Sequence, residues 1–389
     1  MKIALIRQRY NAFGGAERFV ERAVQALAAE GSTGLTLLAR SWSGEAGGAE
    51  FLRCDPFFIG RTWRDWSFAR AACRAAAKGD FDLVQSHERI ACCDIYRAGD
   101  GVHAQWLENR THVLGPVGRL AQRLSPWHRH TLAAERRLFA SSRLKAVICN
   151  SRMVANEVRR LFGVDEARVE LIYNGVDLER FHPRLKDEFR STLRARLGIP
   201  ADAMMFLMVG SGFERKGVPA LLEAFARVPV GVDGAAHLVV MGADRRAVAM
   251  QVRAEALGIA ARTHFPGPQR DVAAWYSAAD CFVLPTLYDP FPNAALEAMA
   301  CGLPVITSRQ CGTAELIEAG REGWACDAWD IEALAGHLAA LDVDQARHMG
   351  RAARVLAERF PLDAMAAQLV ALYRRLLAAK RGRAPGISA

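Results

Sequence analysis

The stretch Leu284-Pro285-Thr286-Leu287-Tyr288-Asp289-Pro290-Phe291-Pro292-Asn293-Ala294-Ala295-Leu296-Glu297-Ala298-Met299-Ala300-Cys301-Gly302-Leu303-Pro304 decides the fold. The apolar run Cys281 to Leu284 that leads into it reads as a buried strand. Three prolines in the eight residues from Pro285 to Pro292 make a rigid loop. Asn293 has the chemistry of an N-cap before an Ala-rich helix. Gly302 sits where a helix C-terminus wants a glycine, and Pro304 forbids continuation. Val305-Ile306-Thr307 then starts another strand. Strand, rigid loop, short helix and strand form one winding of an α/β sheet, with the helix N-terminus on its ligand side.

That geometry has a chemistry. The first backbone N–H groups of a helix, here at Asn293 and Ala294, lack intrahelical partners and, with the helix dipole, attract phosphate. Glu297, one turn inside, can accept hydrogen bonds from a ribose diol. Asp289, in the loop, can reach hydroxyls of whatever the phosphate carries. Taken alone, Glu297 reads better as a solvated helix residue and Asp289 as a turn former before proline. Together with the proline spacing and the glycine stop, the pair reads as a site.

With Asp289 and Glu297 at its ends, this segment resembles the E-x7-E region of the retaining GT-B glycosyltransferases of family four. Within them it is most similar to the lipopolysaccharide-core glucosyltransferase I group. The resemblance implies that Glu297 holds the nucleotide ribose and that Asp289 contacts the donor sugar. Asp289 stands where the family usually has the longer glutamate.

The strand Met205 to Val209 ends in Gly210-Ser211-Gly212-Phe213-Glu214-Arg215-Lys216-Gly217. Two cations there lie beside a glycine loop at a helix start. Lys216 can neutralise a diphosphate as a point charge, and Arg215 can clamp it. A solvated basic turn is the bland alternative. The family's G-x-x-x-x-K-G pattern matches at Lys216, and Arg180 matches a further donor-side arginine loosely. Near the start, strand Lys2 to Arg7 and loop Gln8 to Phe13 lead to Gly14-Gly15 and a helix, Ala16 to Ala29. The pair fits neither G-x-G-x-x-G nor a Walker loop, so a dinucleotide or P-loop site is not expected. By resemblance, Gly14 and Gly15 face the donor. Asp100 lies between two glycines in Arg97-Ala98-Gly99-Asp100-Gly101-Val102-His103. It reads equally as a turn residue or, by resemblance, as a catalytic or acceptor-side carboxylate.

The sequence carries a net charge of +9, unevenly placed. Residues 1–190 hold 30 Lys+Arg and 22 Asp+Glu, giving +8, and the remainder holds 21 and 20, giving +1. A basic first half suits an anionic partner. Trp63, Trp66, Trp106 and Trp127 are interleaved with arginines, and Val117, Leu120 and Leu124 form a helical stripe flanked by Arg119 and Arg123. Such a pattern suits an interfacial helix. No RNP, helix-turn-helix or zinc pattern points to nucleic acid. Nine cysteines without C-x-x-C spacing suggest reduced, buried thiols. No run of about eighteen apolar residues occurs, and Met1-Lys2 leads straight into a strand. The expectation is a cytoplasmic protein on the inner face of the cytoplasmic membrane.

Further strands at Leu35 to Ala39, Leu83 to Ser86, Ala146 to Asn150, Val169 to Ile172, His237 to Met241 and Thr263 to Phe265 alternate with helices. That alternation predicts parallel, doubly wound sheets. The expected fold is α/β, a GT-B arrangement of two Rossmann-like domains facing across a cleft. Residues 1–190 form the acceptor domain and 191–360 the nucleotide-sugar domain. The segment 361–389 supplies a helix that, by resemblance, crosses back to the first domain, and a basic tail. The resemblance implies transfer, with retention, of a hexose such as glucose from a UDP-sugar to an anionic glycolipid such as a lipopolysaccharide inner core. It implies neither metal nor cofactor. Alternatives are a GT-B sugar-nucleotide epimerase and a non-catalytic nucleotide-sugar-binding protein at the membrane.

Overall fold

The computed structural model describes residues 1–11, 34–43, 49–229 and 236–382. Gly14, Gly15 and the expected helix Ala16 to Ala29 lie outside the described residues. The chain divides into two compact units, Met1–Asn174 with Leu362–Ala389, and Gly175–Pro361.

In the first unit the strands Glu50–Arg53, Gly34–Ala39, Lys2–Ile6, Leu83–Ser86, Ile95–Arg97, Ala146–Cys149 and Val169–Leu171 lie side by side in that order. Every neighbouring pair is parallel. Because strand side chains alternate, the sheet feeds two cores. Ala4, Ile6, Val84 and Val147 pack with Phe68, Leu138 and Val158 on one face. Ile3, Leu5, Leu83 and Ile148 pack on the other against Met365, Leu369, Leu372, Tyr373 and Leu377 of the helix Leu362–Gly382. Spacings of four and three place those residues on one helical stripe. Tyr373 also donates its hydroxyl to Gln85 Oε1 at 2.8 Å, in a buried position.

The second unit repeats the plan with Thr263–His264, His237–Met241, Met205–Val209, Cys281–Leu284, Val305–Ser308 and Gly323–Cys326, again in that order and all parallel. The strands without a clear sequence signal are short or lack an apolar pattern. Glu50–Arg53, for example, is exposed along its whole length.

The unit boundary falls between Asn174 and Gly175, ahead of the 190/191 position expected from sequence. The charged, proline-punctuated segment 178–200 is part of the second unit, not a linker. Its helix Leu185–Leu197 turns two arginines inward. Arg190 and Arg194 bond the two oxygens of Asp280 at 2.6 and 2.5 Å, and Arg194 Nε donates to the Ala278 carbonyl at 2.9 Å. Charge here marks a satisfied internal network, which composition alone does not distinguish from a solvated face.

The cysteines require a second correction. Cys73 and Cys92 form a disulfide with their Cα atoms 5.8 Å apart, so these two are not reduced thiols. Their separation of 19 residues carries no sequence signature; only the docking of helix Gly60–Lys78 beside the loop after Leu83–Ser86 brings them together.

Replacing Tyr373 by Phe removes one hydroxyl and leaves the Gln85 acceptor buried. The expected loss is about 1–3 kcal/mol, read as a lower urea midpoint with an unchanged slope. An unchanged midpoint would mean that this bond contributes nothing to the docking of the terminal helix.

Candidate functional site

Two helix-start loops of the second unit are tied together. The first runs from Gly210, after the strand Met205–Val209, to Gly217, before the helix Val218–Ala226. Its turns are closed by Lys216 N to Gly212 O at 3.0 Å and Val218 N to Phe213 O at 3.0 Å. The second loop is Pro285 to Pro292. Leu287 N and Thr286 Oγ1 both donate to the Arg215 carbonyl, each at 2.8 Å. The approach demands a glycine: Gly217 has φ +77°, and a Cβ there would lie 1.9 Å from the Pro285 carbonyl oxygen.

The seam brings Lys216 Nζ to Asp289 Oδ2 at 2.5 Å, a buried ion pair. Asp289 is fixed through its backbone as well, with its N–H on Gln310 O at 3.0 Å and its carbonyl accepting from Gly312 N at 2.8 Å. Arg215 is half-buried, and its guanidinium makes no hydrogen bond or ion pair among the described residues. The pair is therefore positioned before any ligand arrives, while the adjacent guanidinium is available to an anion.

The helix after the second loop is Asn293–Ala300. Pro292, not Asn293, is its N-cap, with φ −67° and ψ 123°, and no side chain caps it. A proline is preset to that φ and needs no N–H, so Asn293 becomes the first helical residue. Ala295 N bonds back to Pro292 O at 3.2 Å, while the amides of Asn293 and Ala294 come before this first closure. Gly302 ends the helix at φ +75°, with its N–H on Met299 O at 2.9 Å and Leu303 N on Ala298 O at 3.0 Å. Glu297 is buried and accepts from the Tyr276 hydroxyl at 3.1 Å through Oε2.

The other expected residues are placed differently. Arg180 is exposed, with its guanidinium 5.4 Å from the Phe181 ring centroid and no bond to Lys216, Asp289 or Glu297. Asp100 belongs to the first unit, exposed in a turn that Gly101 N closes on Ala98 O at 3.0 Å. Gly14 and Gly15 are outside the described residues. Two residues of the cluster escaped sequence reasoning. Asp244 Oδ2 accepts from Phe213 N at 2.7 Å and fixes the first loop. Tyr276 orients Glu297. The Gly242-Ala243-Asp244 turn directly after a strand signals the first; nothing local signals the second.

Two parallel-sheet Rossmann-like units, one with paired helix-start loops that carry a cation and two acids, define the GT-B class of glycosyltransferases. The Glycosyl transferases group 1 family matches residues 189–355, and Glycosyltransferase Family 4 matches residues 13–180. A D-inositol 3-phosphate glycosyltransferase of Xylanimonas cellulosilytica is 30% identical over 325 residues, covering 79% of this chain and 76% of that protein. Lipopolysaccharide glucosyltransferase WaaG of Escherichia coli is 26% identical over 319 residues, 82% of this chain and 83% of that one. The crystal structure of WaaG superposes with a TM-score of 0.83 at 24% identity, covering 95% of this chain and 99% of that one. Anabaena HepE in complex with UDP and glucose gives 0.71 at 19% identity, covering 96% and 100%. The chain belongs to the group 1 glycosyltransferases, with a family 4 amino-terminal region, and is a glycosyltransferase.

Truncating Asp289 strands the Lys216 charge in a buried position. Asp289→Ala is expected to destabilise the ligand-free protein by about 3–5 kcal/mol and to abolish most activity. Asp289→Glu keeps the charge and is expected to retain substantial activity. Thermal unfolding and initial rates check both; an alanine variant as stable and active as the parent would reduce Asp289 to a turn former.

Proposed function

We propose that the protein transfers a hexosyl unit, glucose, from UDP-glucose to a hydroxyl of an anionic glycolipid of the lipopolysaccharide inner-core type, with retention of anomeric configuration. The Lys216–Asp289 bond across the two loops carries this reading. A diphosphate seated on the helix-start amides meets Lys216 and the unbonded Arg215, which offset charge as the nucleoside diphosphate leaves. As that charge grows, Lys216 exchanges part of its contact with Asp289 for the phosphate, and the Asp289 carboxylate turns to a sugar hydroxyl. Glu297, held by Tyr276, takes the ribose diol. The cations supply the charge that a metal would otherwise bring, and no cofactor is required. The departing phosphate oxygen accepts the acceptor proton on the same face of the sugar. WaaG is named as a lipopolysaccharide glucosyltransferase, and the Anabaena structure holds UDP and glucose.

The name of the Xylanimonas relative favours a second acceptor, a small phosphorylated cyclitol. Mass spectrometry of products from a panel of nucleotide sugars, with lipopolysaccharide core or inositol phosphate as acceptor, separates the two. Transfer to core glycolipid is expected. Donor isomerised at C2, or donor bound and unchanged with every acceptor, would overturn transfer in favour of an epimerase or a binding protein. Lys216→Ala should raise the barrier by about 2–4 kcal/mol, read as a fall in kcat/KM. A variant that turns over like the parent would make Lys216 a bystander.

The acceptor's place is the inner face of the cytoplasmic membrane. Among the described residues no helix is long and apolar enough to cross a membrane. The helix Pro116–Leu124 instead lies with Val117, Leu120 and Leu124 exposed at 82, 58 and 64%. Arg123 beside them makes no bond among the described residues, whereas Arg119 Nε is held by the Thr111 and Leu114 carbonyls at 3.1 and 2.9 Å. An anionic leaflet is worth about 1 kcal/mol per basic residue near its surface. Sedimentation with vesicles should show binding that rises with anionic lipid, falls with salt, and weakens in Arg123→Glu and Leu120→Ser. Binding indifferent to salt and to both substitutions would return this helix to ordinary surface.

A further inference from the structure

Two of the nine cysteines are chemically unlike the rest. The other seven are free and buried, and burial pushes their thiols up, Cys311 and Cys326 to about 11 and Cys93, Cys149 and Cys301 to about 12. Protonated and sealed from solvent at neutral pH, they are poor nucleophiles. Cys73 and Cys92 are half-buried, joined to each other, and both line a cavity of about 950 Å³ in the first unit.

That cavity is strongly basic. Seven arginines line it against three acids, Asp65, Glu88 and Asp100, a balance of +4. Arg70 and Arg74 flank Cys73 on the helix Gly60–Lys78, and Arg89 lies three residues before Cys92. Arg70 lies over the Trp66 ring at 5.4 Å, and neither it nor Arg74 makes an ion pair among the described residues. Unpaired guanidinium groups in a concave wall raise the local concentration of anions. The volume is of the size that holds a small-molecule ligand.

We propose that Cys73–Cys92 is a thiol–disulfide exchange site whose partner is a small anionic thiol drawn into this cavity by its arginines. The thiolate attacks one cysteine sulfur, forms a mixed disulfide and expels the other cysteine as thiolate, which takes up a proton. A second thiol attacks the outer sulfur of the mixed disulfide, leaving as the symmetrical disulfide and releasing the second cysteine. Two thiols are oxidised, one protein disulfide is reduced by two electrons, and the two thiol protons end on Cys73 and Cys92.

Exchange alters the cavity itself. The crosslink ties the helix that carries Arg70 and Arg74 to the loop that carries Glu88 and Arg89. Arg89 is anchored independently, donating through Nε to Glu135 Oε1 at 2.8 Å and through Nη2 to the Gly101 carbonyl at 3.1 Å. The helix is seated by Phe68 and Ala72 in the core and by Asp65, which accepts from Trp127 Nε1 at 2.8 Å, so opening the disulfide removes the covalent tie between the two sides of the wall without unseating either.

The test reads thiols and not sugar transfer, so it stands apart from the proposed function. The full chain, purified without reductant, is treated with reduced glutathione or with neutral 2-mercaptoethanol, alkylated, and mapped by mass spectrometry. Each rate is normalised to the same thiol acting on a small free disulfide. Glutathione is expected to be favoured by about tenfold or more at low ionic strength. The preference should fall in high salt and in the Arg70→Ala, Arg74→Ala double variant, with a glutathione adduct trapped on Cys73 or Cys92 and the other seven cysteines unlabelled. Two free thiols at these positions in the purified protein, a normalised ratio near one, or a preference indifferent to salt in the unmodified chain would each overturn the proposal.

Discussion

The carbonyl oxygen of Arg215 accepts from the Leu287 amide and the Thr286 hydroxyl, both at 2.8 Å, and this doubly occupied acceptor sets how closely the two helix-start loops approach. The approach leaves no room for a Cβ at Gly217 and places the Lys216 ammonium on the Asp289 carboxylate. Further bonds hold the second loop from behind, with Thr307 Oγ1 on the Leu284 carbonyl at 2.8 Å and Ser308 Oγ on that of Thr286 at 2.5 Å. The charged groups thus sit on a lattice of backbone bonds. Their geometry does not depend on the long, entropically costly rotamers of lysine alone.

A buried ion pair is weak support for stability, since desolvation offsets much of its attraction. Its value here is in positioning. The ammonium is already buried and held on a carboxylate, so its position is set before anything binds. Arg215 alongside, half-buried and unbonded, supplies charge that the resting site does not consume. Asp289 reaches Lys216 with one methylene less than the glutamate usual in the family, and the shorter acid fits because its backbone is clamped between Gln310 and Gly312.

The first unit works under a different constraint. The central strands of its sheet are buried on both faces, and one of those faces is covered by the helix Leu362–Gly382 from the end of the chain. With both faces occupied, loops at the strand ends and the helices beside them remain for contact with other molecules. Basic and aromatic residues concentrate there, on Gly60–Lys78 and on the pair of helices Pro116–Leu124 and Pro126–Phe139.

Much of this was legible in the chain itself. Met205–Val209, His237–Met241, Cys281–Leu284 and Leu83–Ser86 are apolar runs bounded by turn residues, and the structure places strands on those spans. Lys216, Asp289 and Glu297 were legible because glycine and proline punctuation fixes where a loop ends and a helix begins, a property of a few adjacent residues. What needed the folded chain is non-local. The Cys73–Cys92 bridge, the Asp280 network that makes 178–200 part of the second unit, and Tyr276 on Glu297 each join residues about twenty to ninety positions apart. Asn293 lost its expected cap role to Pro292, whose ring already fixes the φ that a cap position needs. Local backbone preference wrote the loops and strands, whereas the partner of each buried polar group was decided by tertiary packing, because only packing removes the water that would otherwise satisfy it.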